Sequence, residues 1–496
     1  MAAAAVALLS HFFPTTAPIL PPPSKSTPLP FPISLKLLTK PQPISLPLHC
    51  TTSTTTSPTT STLLLLQELN LTDKQLNLLL RDNPQLRSAP PEPFRRRIAS
   101  LRSLTPTFLH RIVIRRPDIL TSPELTPFLH FLREHLSDLL PAKLERLLSS
   151  TSPHLYPYFL RKAELLLDRG VPSKDLSAIA NNVNIAKVFC EMSLMDFQDT
   201  ILYLERFGWP DIVVRRPAIL NLDLRSQLIP RVEYLTELGS GDEAGVTAIV
   251  RKLPAVLAYT VKHFHSHVAF WRSVGLTDNH VFKIVLVYPN VFSASKKRKL
   301  APRVEFLRQC GLDADDIFKF LIKAPLFLSL SFEANLSKKL GLLVKLGYRH
   351  RTKELALAMG AATRTSCENM QMVVGVFLSY GFSCEDLLVM SRKHPQVLQY
   401  NYGSLEKKME FLVEGMERDI GELMTFPAFL GYKLDDRIKR RYEVKKEIRG
   451  KGMSLNKLLS VSTKKFDLKN SMLVGVESDY ELETVEGYGD LFDAQL

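Results

Sequence analysis

Gly275-Leu-Thr-Asp278, then His280 to Tyr288, Pro289-Asn-Val-Phe292 and Leu300-Ala-Pro-Arg-Val-Glu-Phe-Leu-Arg-Gln-Cys-Gly311 form the stretch whose reading decides the fold. Thr277 or Asp278 can cap a first helix, because a short side-chain oxygen satisfies the free N–H groups of the first turn. Pro289 stops that helix, since it has no N–H and pushes Tyr288 out of the α region. A second apolar-periodic run follows. Gly311 stands where a helix end favours a left-handed residue. The unit reads helix, Pro-initiated turn, helix, glycine stop.

The unit recurs along the chain. Pro-x-apolar-apolar appears at Pro217, Pro254, Pro289, Pro325, Pro395 and Pro427, with gaps of 37, 35, 36, 70 and 32 residues. The gap of 70 is two units, the middle one lacking its proline near Gly360. Upstream, Pro84 and Pro117 lie 33 apart, with a weaker copy at Pro153. Glycines keep step at Gly170, Gly208, Gly239, Gly275, Gly311, Gly347, Gly381 and Gly415. Two signals in phase over so many units predict an all-α helical-repeat solenoid, in which each unit needs only its neighbours for burial.

Before Glu68 there is no acid, and the first arginine is Arg81. Serine, threonine and proline dominate this segment, which cannot bury enough apolar surface to offset chain entropy. Residues 1–60 are expected to be a disordered transit peptide, and hydroxyl content without arginine suits a plastid better than a mitochondrion. Repeats that match loosely are expected over 65–155, and the regular solenoid with a basic closing helix over 155–455. From Glu477 onward there are seven acids and no base, so 470–496 is expected to be a disordered acidic tail. No apolar run is long enough to span a membrane. The five cysteines are scattered and contain no Cys-x-x-Cys, as in a reducing compartment.

The net charge is +14 despite that acidic tail, so the repeats hold the surplus, which favours a polyanionic partner. Aligning second helices on their glycines exposes a basic position eight residues earlier: Lys162, Arg231, His267, Arg303 and Lys339, with Lys408 equivalent in a helix one residue shorter. Thr200 and Val373 are the exceptions. The residues that follow, such as Val232, Tyr234, Leu235 and Val304, Phe306, Leu307, are expected to be core. Stacked repeats would align the cations as a stripe facing nucleic acid. Lys296-Lys297-Arg298-Lys299 is a second candidate contact, with Arg95-Arg96-Arg97 and Arg115-Arg116 adding to the positive field.

Other motifs carry no chemistry. Gly239-Ser-Gly-Asp-Glu-Ala244 fits a dinucleotide fingerprint but follows a helix, not a strand. His263 and His267 could share a helical face, but no third metal ligand stands at a recognisable spacing. No nucleophile elbow or phosphate loop occurs. No enzyme, catalytic residue, metal or cofactor is assigned.

The pattern resembles the mTERF (mitochondrial transcription termination factor) family. Tyr288-Pro-Asn-Val-Phe292 with Pro302-Arg-Val-Glu-Phe-Leu307, Lys393-His-Pro-Gln-Val-Leu398 with Leu405 to Leu412, and Phe426-Pro-Ala-Phe-Leu430 before Tyr432 to Arg440 carry the likeness. The resemblance implies three-helix units with a short middle helix, stacked into a curved superhelix with a basic concave face. It also implies an organellar protein that binds double-stranded DNA or structured RNA. Its action would lie in transcription termination, transcript processing or group II intron splicing, alongside transcription or splicing machinery. A monomer in the chloroplast stroma or nucleoid is expected, with the mitochondrion as the alternative. Pentatricopeptide-type hairpins fit poorly, because of the mid-unit proline. The alternative from another class is a protein-interaction scaffold whose basic groove takes an acidic partner.

Overall fold

A computed structural model describes residues 58–449, 453–463 and 465–467. The transit-peptide and acidic-tail expectations lie outside the described residues, apart from 58–60, the last positions of the expected transit peptide, which are not disordered but open the helix Pro58–Gln67. All regular structure among the described residues is helical, and the chain is an all-α helical-repeat solenoid. It divides into two compact units, 58–263 and 264–467.

The second unit contains the stretch quoted above. Asp278–Val287 is the first helix, and of the two candidate caps Thr277 is the one used, its hydroxyl accepting from the His280 N–H at 3.2 Å. Tyr288 leaves the helix at φ −140°, and Pro289 then opens a 3₁₀ helix, Pro289–Ser293. The proline therefore ends one helix and starts the next, at a position where a missing N–H costs nothing. The second helix begins with a wide π turn, Lys296–Leu300, and continues as Ala301–Gln309. Pro302 suits that width, since it cannot donate to the carbonyl four residues back and its ring crowds it, but the same wide turn recurs at Phe332–Leu336 with no proline after it. The Leu300 N–H reaches Ser295 O, five back, at 3.1 Å.

The same plan gives Ala314–Lys323, Pro325–Leu328 and Ser337–Lys345, then Cys384–Lys393, Pro395–Gln399 and Tyr402–Glu410. Between them stands the unit without a proline, and there the short helix is missing altogether. Lys353–Ala362 passes through Thr363–Ser366 directly into Cys367–Ser379. Gly360 lets this copy pack closely, since a Cβ on it would lie 2.8 Å from the Phe320 ring.

In the first unit three-helix repeats are present from Asp73–Asp82, Pro84–Leu86 and Pro91–Leu104 onward. They continue to Glu243–Lys252 and Pro254–Ala258. The repeat starting at Ser173–Asn182 has a π-helical segment, Ala186–Glu191, in place of the short 3₁₀ helix.

Two glycine stops differ from expectation. Gly239 has φ −89°, and the left-handed residues are Ser240 and Gly241. Gly415 closes a π turn, Phe411–Gly415, and Glu417 takes the positive φ there. Gly275, Gly311, Gly347 and Gly381 all have positive φ as predicted. Val232, Leu235, Val304 and Leu307 are core, whereas Tyr234 and Phe306 are only half-buried.

Candidate nucleic-acid interface

The predicted stripe does not face solvent. Lys162, Arg231, His267, Arg303, Lys339 and Lys408 are all buried, with exposures of 0 to 7%. Their environment follows from helix geometry. Leu300, Arg303, Val304 and Leu307 stand at i, i+3, i+4 and i+7, the spacing of a buried stripe. Phe159-Lys162-Ala163-Leu166, Leu228-Arg231-Val232-Leu235, Phe264-His267-Val268-Trp271 and Leu405-Lys408-Met409-Leu412 repeat it. The cation belongs to the apolar face, not to its border.

A buried cation needs acceptors, and the following repeat supplies them as backbone carbonyls. Lys162 Nζ donates to Val188 O at 3.0 Å, to Phe189 O at 3.1 Å and to Met192 O. Arg231 donates to Leu257 O at 2.6 Å and Lys408 to Leu430 O at 2.7 Å. His267 Nε2 lies 3.2 Å from Ala294 O and so must carry the proton. Arg303 Nε donates to Phe327 O at 2.8 Å, and its second nitrogen to Leu330 O. Apart from the Lys162 partners, these carbonyls belong to the end of the following 3₁₀ helix or the residues just after it. There the last C=O groups lack partners and the helix dipole is negative. Apart from Lys339, which has no such acceptor among the described residues, each basic residue therefore ties its second helix to the next repeat, at its short helix or, for Lys162, at Ala186–Glu191 and Met192. Burial lowers the pKa of Arg231, Arg303, Lys339 and Lys408, and pushes Lys162 down to about 8.

Two members of this set were not recognised in the sequence. Arg97 donates to Leu120 O at 3.1 Å, and Arg441 to Leu458, Leu459 and Val461 carbonyls at 3.3, 3.2 and 2.7 Å. The spacing of Phe94-Arg97-Ile98-Leu101 carried the signal for the first. Phe128 holds the same register and stacks on Tyr156 at 4.1 Å in place of a cation. Thr200, one exception in the sequence, bonds Asp196 O in its own helix at 2.7 Å.

Exposed positive charge lies elsewhere. In the second unit the first helices lie side by side and point the same way. Lys353 pairs with Asp316 at 2.7 Å near their amino ends, while Arg364 reaches Lys323 O, and Lys393 reaches Met424 O at 3.1 Å, at the carboxyl ends. Acids occupy the first turns: Asp278, Asp315, Asp316, Glu354, Glu385, Asp386 and Glu422. Bases occupy last turns at Lys323, Arg392 and Lys393. Helix dipoles favour this polarity, and it gives the unit one acidic and one basic edge. In the first unit Arg215, Arg251 and Lys252 also stand in last turns, with the Arg215 guanidinium on Arg251 O at 2.6 Å and Lys252 O at 3.0 Å.

The run at 296–299 joins the basic edge of the second unit. Arg303 holds Lys299 O at 2.9 Å while also holding the carbonyls that follow Pro325. The run is thus fixed beside the short helix that begins two residues after Lys323. Lys297, Arg298 and Lys299 are exposed, and Lys296 is half-buried against Ser266. No carboxylate pairs with any of the four among the described residues.

The mTERF family model matches residues 44–306 and 292–467. The chain belongs to the mTERF family. Transcription termination factor MTERF8, chloroplastic, of Arabidopsis thaliana is 48% identical over 406 residues, 81% of each chain. Transcription termination factor MTERF15, mitochondrial, of the same plant is 27% identical over 240 residues, 47% of this chain and 53% of that one. Transcription termination factor MTERF4, chloroplastic, of Oryza sativa subsp. japonica is 35% identical over 94 residues, 19% of this chain and 18% of that one. In this mTERF chain the basic residue of most repeats is a structural tie, and the exposed positive charge of the second unit is on the helix-end edge.

Proposed function

We propose that the chain binds nucleic acid in the chloroplast, in the stroma or nucleoid, and regulates gene expression there at transcription termination or transcript processing. Double-stranded DNA or structured RNA is its partner, and it acts as a monomer without chemistry of its own. The observation that carries the reading is the uncompensated run Lys297-Arg298-Lys299 fixed beside the basic edge of the second unit. The likeness to a chloroplastic transcription termination factor along most of both chains supports it, as does the hydroxyl-rich, acid-free segment before Glu68.

Contacts of this kind neutralise phosphates, and each contributes about −0.9 to the slope of log affinity against log salt on B-DNA. The test is a mobility shift on random duplex DNA and on structured RNA across a salt series. The parent is expected to bind at low salt, and Lys297→Ala/Arg298→Ala/Lys299→Ala to flatten the slope by roughly two to three units. A folded triple variant with the parent's slope, or a parent that binds neither polymer at low salt, overturns this reading.

A further inference from the structure

The repeat that starts at Ser173–Asn182 leaves open a space that regular repeats fill. Elsewhere the short 3₁₀ helix lies against the first helix of the preceding repeat, as Pro217–Asn221 does on Ser173–Asn182 and Pro395–Gln399 on Lys353–Ala362. Here the short helix is replaced by the π-helical Ala186–Glu191, which packs mainly on the second helix Tyr156–Asp168. The first helix Pro141–Ser150 is left uncovered on that side, and a cavity of about 390 Å³ lies between it and the turn 181–186. That volume falls within the range of small-molecule sites, about 300–1,000 Å³, and is far more than a lone phosphate fills.

The walls of the cavity are basic and rich in amides. Lys143 and Arg146 line it and no carboxylate does. Glu145, between them in sequence, is taken by Arg111 at 3.1 Å. Lys143 Nζ donates to Val183 O at 2.8 Å and keeps two hydrogens, while the exposed Arg146 guanidinium has no hydrogen bond or ion pair among the described residues. Asn182 Nδ2 donates to Ala178 O at 2.9 Å, which leaves its oxygen to accept. Asn184 Oδ1 accepts from the Lys187 N–H at 3.4 Å, which leaves its amide nitrogen to donate. The backbone that carries both is pinned. Asn181 holds Leu140 N at 2.9 Å and Asp138 O at 3.0 Å, and the Asn184 N–H donates to Asn221 Oδ1 at 2.7 Å. Leu147, Val183 and Ile185 add buried apolar surface to the lining.

A guanidinium with an ammonium one helical turn away suits phosphate. A free amide donor and a free amide acceptor beside apolar surface suit the edge and face of an unpaired base. We propose that this cavity is a nucleotide site, in which Arg146 and Lys143 take the phosphate and Asn182 and Asn184 take the base edge. The nucleotide is either free or an unpaired residue of a bound RNA, and only in the second case does the site rest on the proposed function.

The experiment titrates the full chain with AMP and UMP by calorimetry, with adenosine and inorganic phosphate as partial ligands. The parent is expected to bind one nucleotide saturably, and more tightly than either partial ligand. Arg146→Ala removes an exposed side chain with no internal partner, so it is expected to fold as the parent does and to weaken AMP binding about tenfold, the loss of a charge-assisted hydrogen bond. Ser150→Trp fills the cavity and is expected to abolish binding. Arg161→Ala removes an exposed cation of the same repeat outside the lining and is expected to bind as the parent does. On an RNA with unpaired loops, Arg146→Ala is expected to flatten the salt slope by about 0.7 if the nucleotide belongs to the strand. The parent's slope beside weakened AMP binding assigns the site to a free nucleotide. If the parent binds no nucleic-acid polymer, the proposed function fails and the AMP arm alone decides the site. A parent that binds neither AMP nor UMP at millimolar concentration, equal affinity in parent and Arg146→Ala, or an equal loss in Arg161→Ala overturns the proposal.

Discussion

Replacing Lys162 by methionine tests the inter-repeat tie at its most completely buried member. The side chain is fully shielded, and its three ammonium hydrogens match three carbonyls, on Val188, Phe189 and Met192. Methionine keeps most of the volume but leaves those oxygens without a donor. An orphaned buried acceptor costs about 1–3 kcal/mol, so three give a gross loss of roughly 3–9 kcal/mol. Against this stands the relief of no longer burying a charge. The ammonium is held at about 8 from an ordinary 10.5, and at about 1.4 kcal/mol per pH unit that relief is about 3.5 kcal/mol. Some carbonyls will relax toward water, so the net expectation is a loss of about 2–4 kcal/mol. This is a large share of a typical domain stability of about 5–15 kcal/mol.

Urea unfolding followed by circular dichroism measures the loss, and amide exchange across Ala186–Glu191 localises it. Thr200→Val is the control, because that hydroxyl bonds only its own helix and is expected to cost about 1 kcal/mol. A Lys162→Met protein as stable as the parent at pH 7, with unchanged protection in Ala186–Glu191, would refute the account of the cation as a carbonyl tie.

The same lysine predicts a pH dependence. The folded protein releases its proton near pH 8 and the unfolded chain near 10.5, so the Lys162 contribution grows as pH rises through that window and is lost on the way down. The stability gap between parent and Lys162→Met should therefore widen from pH 8 to 10, and a constant gap counts against it. Gly360→Ala should cost about 1–3 kcal/mol by overpacking against Phe320 and Ala324, read as a lowered urea midpoint; a neutral result would mean that the first helices separate freely. Residues 1–60 fused to a fluorescent reporter should enter chloroplasts, and cytosolic or purely mitochondrial signal would rule out that assignment.

The prolines and glycines made the fold legible because they act on their own backbone. Pro289 needs no partner to end a helix, and Gly275 at φ +96° needs none to turn the chain. The missing proline near Gly360 likewise announced a changed repeat, although not that the short helix would vanish. Lys162 and Arg303 were misread for the opposite reason. Their acceptors are backbone carbonyls some 24 to 30 residues further on, and a carbonyl has no letter in the sequence. Spacing offered the only local clue, since a cation at i+3 between apolar residues at i, i+4 and i+7 points inward whatever its charge. Gly239 and Gly415 were misplaced because the left-handed role passed to Ser240, Gly241 and Glu417, a choice made by the loop as a whole.

Two kinds of positive charge therefore coexist here, and net charge alone does not separate them. Lys162, Arg231, Arg303, Lys408 and Arg441 are matched to carbonyls inside the protein, so a ligand meets little of their field. Lys297, Arg298, Lys299, Lys323 and Arg392 are exposed at helix ends and remain available. The total of +14 consequently overstates what the repeats can offer a polyanion on a given face. The salt slope is the quantity that separates the two, because it counts phosphates neutralised rather than residues present. A slope small for so basic a chain would be the natural result of cations that hold one repeat to the next.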